Sequence, residues 1–239
     1  MTLFSGKARG ISAPRRDEAE RPFWISFSDL MTALMVLFLV AMTVALLSIT
    51  HEITVTEDKK AVREAEIDRF MQDLKILADH YPGVSVHGRA VDFGSRARFE
   101  TDRHTLDETQ TRLLREVVPR ILALARDPLG EKWLKRIVVE GFADARGGYL
   151  YNLNLSLQRS ERVLCVLLAP PPAPAALSVE DRLLARNLFR VSGASFNALK
   201  ESDEESRRIE LRLEFFEMDE PRMSERNAPL DDEPRCPLG

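Results

Sequence analysis

From Pro22 to Thr50 the chain reads PFWISFSDLMTALMVLFLVAMTVALLSIT, and Asp29 is the only charged residue in the run. The run is apolar on every side, whereas a helix at the surface of a globular domain keeps a polar face. At about 1.5 Å per residue it forms a helix of roughly 40 Å, enough to cross a hydrocarbon core of about 30 Å with some tilt. A cleaved export signal fits less well. The apolar part exceeds the usual h-region of about 7–15 residues, and no small-x-small cleavage site follows it. The flanks orient the helix. Lys7, Arg9, Arg15, Arg16 and Arg21 precede it, while His51, Glu52, Glu57 and Asp58 come first after it. Basic residues collect on the cytoplasmic side, so residues 1–21 are expected in the cytoplasm, 22–50 across the inner membrane, and the remainder in the periplasm. Phe23 and Trp24 suit the aromatic belt at the cytoplasmic interface.

Asp29 lies five or six residues inside this run, buried but not central. An ionisable side chain at mid-bilayer costs about 2.5–3.5 kcal/mol on insertion scales. One reading is a helix-end carboxylate that snorkels to water, although aspartate is short for that. The other is a carboxylate that takes up and releases a cation between helices, with hydroxyls from Ser26, Ser28 and Thr32 in support. One helix cannot enclose an ion pathway, so this second reading implies a partner with several membrane helices. Protons are favoured over sodium, because three hydroxyls are few ligands for a dehydrated metal ion.

These residues carry a resemblance. FWISFSDLMTALMVLFLV resembles the membrane segment of the MotB family, the ion-binding stator subunits that work as dimers inside a ring of a multi-span partner. The form PFWxSFSDLMTALM is most similar to the ZorB subunits of Zorya antiphage defence systems; flagellar MotB more often reads Tyr-Ala-Asp-Phe here. The resemblance implies a homodimer within a ring of a ZorA- or MotA-like membrane protein.

Residues 51–83 are charged, with apolar Val62, Ile67, Phe70, Leu74 and Leu77 near helical spacing. A solvated connector helix, a plug and a dimer coil all fit. From Val84 the pattern becomes α+β. VSVHGRAVDF alternates as a strand does, Leu106 to about Ala125 reads as a helix that Pro119 would kink or break, and KRIVVEGF is a short apolar strand. LSLQRSERVLCVLLA reads as a helix, Ser178-Val-Glu-Asp181 as a capping box opening a helix through Asn187, and LFRVSGASF and RRIELRLEF as the last two strands. A mixed sheet with helices on one face follows. The acidic, Pro-containing tail from 218 to 239 is expected to be disordered.

Within 84–217, Val139-Glu-Gly-Phe-Ala-Asp-Ala-Arg-Gly147, then Tyr151-Asn152, Leu155-Ser156-x-x-Arg159 and Arg207-Arg208-Ile209-Glu210 resemble the OmpA-like peptidoglycan-binding domain. That resemblance implies that Asp144 holds the ammonium and Arg159 the carboxylate of the diaminopimelate in a stem peptide, a chemistry suited to a carboxylate and a forked guanidinium. Asn152 would fix the peptide and Tyr151 would pack on it, with Leu153, Leu155 and Arg208 completing the set. A structural Asp144–Arg159 salt bridge is the alternative. Phe142 and Ala143 replace the family's His and Thr, which is expected to remove two polar groups from the rim.

The rest of the chain narrows the function by exclusion. A net charge of −4 argues against a nucleic-acid surface. The four histidines have no metal-ligand spacing and no glycine-rich phosphate loop occurs, so neither enzyme chemistry, a metal nor a cofactor is expected beyond the translocated ion. Cys165 and Cys236 fall in an oxidising compartment; a disulfide clipping the tail and a buried free Cys165 both remain open. Three functions fit: a wall-anchored subunit of a Zorya-type motor, a flagellar stator subunit, and a passive peptidoglycan tether. Asp29 argues against the last.

Overall fold

The computed structural model describes residues 17–221 and 236–238, with side chains from Trp24 onward. The basic flank Lys7, Arg9, Arg15 and Arg16, the side chains of Arg21 and Phe23, and residues 222–235 and 239 of the tail expected to be disordered from 218 to 239 lie outside the described residues. The chain divides into two compact units, Met1–Lys59 and Lys60–Gly239.

The first unit is helical throughout its described part. Helix α1 spans Asp17–Asp79, and among the described residues it is the one helix long and apolar enough to cross a membrane. Thr32, Thr43 and Thr50 donate their hydroxyls to the carbonyls of Ser28, Leu39 and Leu46 one turn back. These bonds leave no hydroxyl hydrogen of theirs unpaired in an apolar surrounding, where an unpaired polar group is costly.

The second unit is built on a five-stranded mixed sheet. Strands β1 (Ser85–His87), β2 (Ala90–Asp92), β3 (Leu134–Gly141), β4 (Phe189–Gly193) and β5 (Ile209–Phe215) stand in the order β1-β2-β5-β3-β4. All neighbours are antiparallel except β3 and β4. A parallel pair needs a long crossover, supplied here by α4 (Tyr149–Leu168) and α5 (Val179–Leu188). Strand alternation sorts the two faces. Ile209, Leu211, Leu213 and Phe215 join the core, whereas Arg212 pairs with Glu140 at 3.0 Å and Glu214 with Arg136 at 2.6 Å on the opposite face. The helices therefore cover one face only.

Helix α2 (Glu108–Arg126) opens on a complete capping box: the Gln110 amide donates to the Asp107 carboxylate at 2.7 Å, and the Asp107 amide donates to the Gln110 side chain at 2.9 Å. Of the kink or break expected at Pro119, the break does not occur, since α2 continues through that position. The buried stripe Val117, Val118, Ile121 and Leu122 offsets the ~3 kcal/mol that an internal proline costs. The stretch 84–93 is a hairpin rather than one strand, because Gly88 at φ +59° turns the chain at Gly88-Arg89. Short helices α3 (Pro128–Trp133) and α6 (Asp203–Ser206) had no counterpart in the sequence reading. At α5, Ser178 accepts from the Asp181 amide, which makes it an N-cap.

The segment 51–83, left open as connector, plug or coil, divides. Its later part packs into the second unit through Ile67, Phe70, Leu74 and Ala78, all buried in the core, with Phe70 edge-on to Phe215 at 5.8 Å. Each of the larger side chains contributes about 1.5–3 kcal/mol by burial. Polar bonds clasp the same part: the Arg63 Nε donates to the Phe216 carbonyl at 2.9 Å, Glu64 pairs with Arg89 at 3.2 Å, and Glu66 accepts from Lys132 and from the Trp133 indole at 2.6 Å. Cys165 and Cys236 form a disulfide, which returns the tail to α4, and Arg162 donates to the Leu238 carbonyl at 3.0 Å.

Candidate functional site

The loop between β3 and α4 is held in place from below by close packing of small residues. A Cβ on Gly141 would meet the Ser156 carbonyl at 2.0 Å, and one on Gly193 would meet the Ser156 Oγ at 2.6 Å. The bare backbones let α4 approach β3 and β4, and serines bond across the contact: Ser160 donates to the Ser192 carbonyl at 2.6 Å, and the Ser195 amide donates to Ser156 at 3.1 Å. Residues 142–148 leave this platform, turn at Gly147 with φ +91°, and enter α4. The buried Asn152 amide group pins the turn by donating to the Arg146 carbonyl at 2.7 Å.

Asp144 sits at the centre, 5% exposed. One oxygen accepts from the Arg146 amide at 3.1 Å. The other pairs with Arg207 at 2.9 Å and with Arg146 at 3.9 Å. Arg159 is fully buried. Its Nε donates to the Arg103 carbonyl at 3.0 Å and its two terminal nitrogens to the carbonyls of Phe142 at 2.7 Å and Glu100 at 3.2 Å. The guanidinium also lies 5.0 Å from the centre of the Phe99 ring. Burial pushes its pKa down to about 10, and the nearby Asp144 charge opposes that shift. Arg146 differs: its side chain is 59% exposed. It donates through Nε and Nη2 to one oxygen of Asp203 at 2.9 and 2.8 Å, and those bonds hold its pKa above the usual arginine value.

The expected set is thus only partly brought together at the surface. Tyr151 is 54% exposed beside the loop, Leu153 is half-buried, and Asp144 lies at the floor. Arg159 was expected to fork onto a ligand, but three backbone carbonyls and the Phe99 ring already surround it. Asn152 fastens the loop rather than facing outward. Leu155 is buried. Arg208 points away from Asp144: it pairs with Glu210 at 2.7 Å, donates to the Ala198 carbonyl at 3.1 Å, and lies 4.0 Å over the Phe142 ring. Phe142 and Ala143, expected at the rim, are both buried.

In the first unit, Asp29, Thr32, Ala33, Val36, Leu37, Val40 and Ala41 line one side of α1. Successive residues turn by about 100°, which places Ser26, Thr32 and Ala33 within about 60° of Asp29 and Ser28 about a quarter-turn away. Thr32 bonds the Ser28 carbonyl at 2.7 Å.

No family model matches the chain. A relative from Escherichia coli O139:H28 (strain E24377A / ETEC), Zorya protein ZorB, is 45% identical over 215 residues, covering 88% of this chain and 87% of that protein. The chain belongs to the ZorB family. Among solved structures it is similar to a putative MotB-like protein from Desulfovibrio vulgaris, at 17% identity and a TM-score of 0.40, covering 66% of this chain and 98% of that one. The periplasmic domain of Helicobacter pylori MotB (residues 90–256) is 15% identical with a TM-score of 0.39, covering 57% and 80%. The OmpA-like domain of FopA1 from Francisella tularensis is 18% identical with a TM-score of 0.34, covering 56% and 82%.

Two residues that contact Asp144 in this ZorB-family chain had no role in the expectations from sequence. The Arg-Arg motif contains Arg207, but the role expected there falls on Arg208; Arg207 caps α6 just before β5, outside the strand's alternation. The turn out of α6 sets Arg207 on Asp144 and Arg208 on Glu210. Arg146 has no periodic signal, because its position depends on the turn at Gly147.

Proposed function

We propose that the chain is the ion-binding, cell-wall-anchored subunit of an inner-membrane rotary motor in a Zorya-type antiphage defence system. The observation that carries this reading is the 45% identity to Zorya protein ZorB over 88% of the chain. It is supported by a membrane-length helix with one carboxylate, Asp29, on a side otherwise lined by small and apolar residues. An uncompensated intramembrane carboxylate is costly, and such residues are characteristic of ion pathways. In this reading two copies sit inside a ring of a multi-span, ZorA-like partner, with the N-terminus in the cytoplasm and the second unit in the periplasm. The ion is a proton, since Ser26, Ser28 and Thr32 offer few ligands for a dehydrated metal ion. The Asp144 loop with Tyr151 meets the stem peptide of peptidoglycan and holds the dimer still while ion flow past Asp29 turns the ring.

Co-purification with a multi-span, ZorA-like protein expressed alongside this chain tests the assembly. Two copies within each partner ring are expected. A monodisperse monomer in detergent, beside a partner ring that forms without it, refutes the reading.

A further inference from the structure

In the orientation proposed above, Asp29 stands near the cytoplasmic end of the span. An ion that reaches it from the periplasm has to pass the helix from Thr50 back to Asp29, about 32 Å at about 1.5 Å per residue. Hydrocarbon supplies no water over that distance, so the route needs polar groups of its own on the wall that α1 contributes.

The polar side chains beyond Asp29 gather on one side of α1. With successive residues about 100° apart, Thr32, Thr43, Thr50, His51 and Thr54 all fall within about 60° of Asp29, whereas Ser48 falls roughly 100° away and Thr56 opposite. The opposite side carries the bulky Met31, Phe38, Met42 and Ile49, all exposed. A threonine in lipid satisfies its hydrogen on a carbonyl of its own helix, and that need alone favours no side. Here Thr43 donates to the Leu39 carbonyl at 2.7 Å, Thr50 to that of Leu46 at 3.0 Å and Thr54 to that of His51 at 2.9 Å. A hydroxyl has one hydrogen and two acceptor lone pairs, so each of these oxygens is still able to accept from water. Between Thr43 and Thr32 the same side is apolar, with Val36 and Val40 beside the Asp29 hollow.

Resting on the motor reading above, we propose that Thr43, Thr50 and Thr54, with His51 at the mouth, form the α1 wall of the route by which a hydrated proton travels from the periplasm to Asp29. The partner ring supplies the facing wall. The three hydroxyl oxygens accept from the water molecules that carry the proton, and the Asp29 carboxylate takes it up at the inner end. Val36 and Val40 form a dry neck between the two. Such a neck limits leak, because an apolar constriction gates by dewetting.

The test expresses the full chain with its multi-span, ZorA-like partner at matched levels, and scores phage protection and co-purification. Thr43→Val and Thr50→Val together keep the side-chain shape and remove two oxygens. Protection should be lost as it is in Asp29→Asn, while co-purification stays at the wild-type level. Thr43→Ser with Thr50→Ser keeps the oxygens and should retain most of the protection; Ser48→Ala, off this side, should retain all of it. Full protection by the valine pair, beside loss in Asp29→Asn, overturns the route and leaves the motor reading standing. So does a serine pair that fails as the valine pair does, a valine pair that no longer co-purifies, or loss in Ser48→Ala, because packing against the partner then accounts for these residues. Full protection by Asp29→Asn overturns both readings.

Discussion

Replacing Arg159 by methionine keeps much of its length and apolar contact but removes every donor. The carbonyls of Glu100, Arg103 and Phe142 then lose their partner. Bonds to a charged group contribute about 1.5–3 kcal/mol each. Against them stands the penalty of burying the guanidinium, which after the opposing Asp144 charge is counted amounts to roughly 3 kcal/mol for a pKa lowered to about 10. Glu100 and Arg103 belong to an exposed turn and regain water, whereas the Phe142 carbonyl bond is buried. The net loss is about 2–5 kcal/mol, a large share of the 5–15 kcal/mol that holds a typical domain together. Thermal unfolding of the full chain, followed by near-ultraviolet circular dichroism of the second unit, should show a midpoint lower by roughly 5–15 °C. An unchanged midpoint together with lost wall binding would show that Arg159 contacts ligand instead, and would refute the argument from burial.

Two further outcomes follow from the same contacts. Hydrogen bonds from Lys132 and the Trp133 indole hold the Glu66 carboxyl below its ordinary value of 4.5. Its stabilisation is therefore complete above that value and is lost as pH falls from there through the lower folded-state pKa. Glu66→Gln should flatten this part of the acid limb when urea midpoints are compared between roughly pH 5 and pH 3, and parallel limbs would contradict it. The Cys165–Cys236 bond closes a sequence separation of 71. Cys236→Ser should cost up to about 4 kcal/mol of stability on the chain-entropy account, and reducing the wild type should give the same shift in urea midpoint; no shift in either would contradict it.

Much of the second unit was legible because periodicity reports burial directly. The stripe Leu113, Leu114, Val117, Val118, Ile121 and Leu122 announces α2, and the alternation in RRIELRLEF announces β5. Periodicity says which face is buried but not against what, so Ile67, Phe70 and Leu74 marked a helix without revealing that they complete the domain core. Helix α3 is only Pro128–Trp133, too short for a repeat to show. The site followed the same division. The resemblance to the OmpA-like domain singled out Asp144 and Arg159, but whether a guanidinium faces solvent or backbone depends on the 100–103 loop, which lies more than fifty residues earlier in the chain than Arg159. Arg146 depends on the turn at Gly147, which no local pattern encodes.

Asp29 carries the proposed motor function, and Asp29→Asn tests that role most directly. The amide keeps the shape and hydrogen-bonding reach of the carboxylate but cannot bind and release a cation. Cells expressing the variant with its multi-span partner, at levels matched to wild type, are challenged with phage. Normal membrane levels, normal assembly and complete loss of protection are expected, with Asp29→Glu retaining at most a little. Full protection by Asp29→Asn would reduce this carboxylate to a helix-end residue and contradict the motor reading.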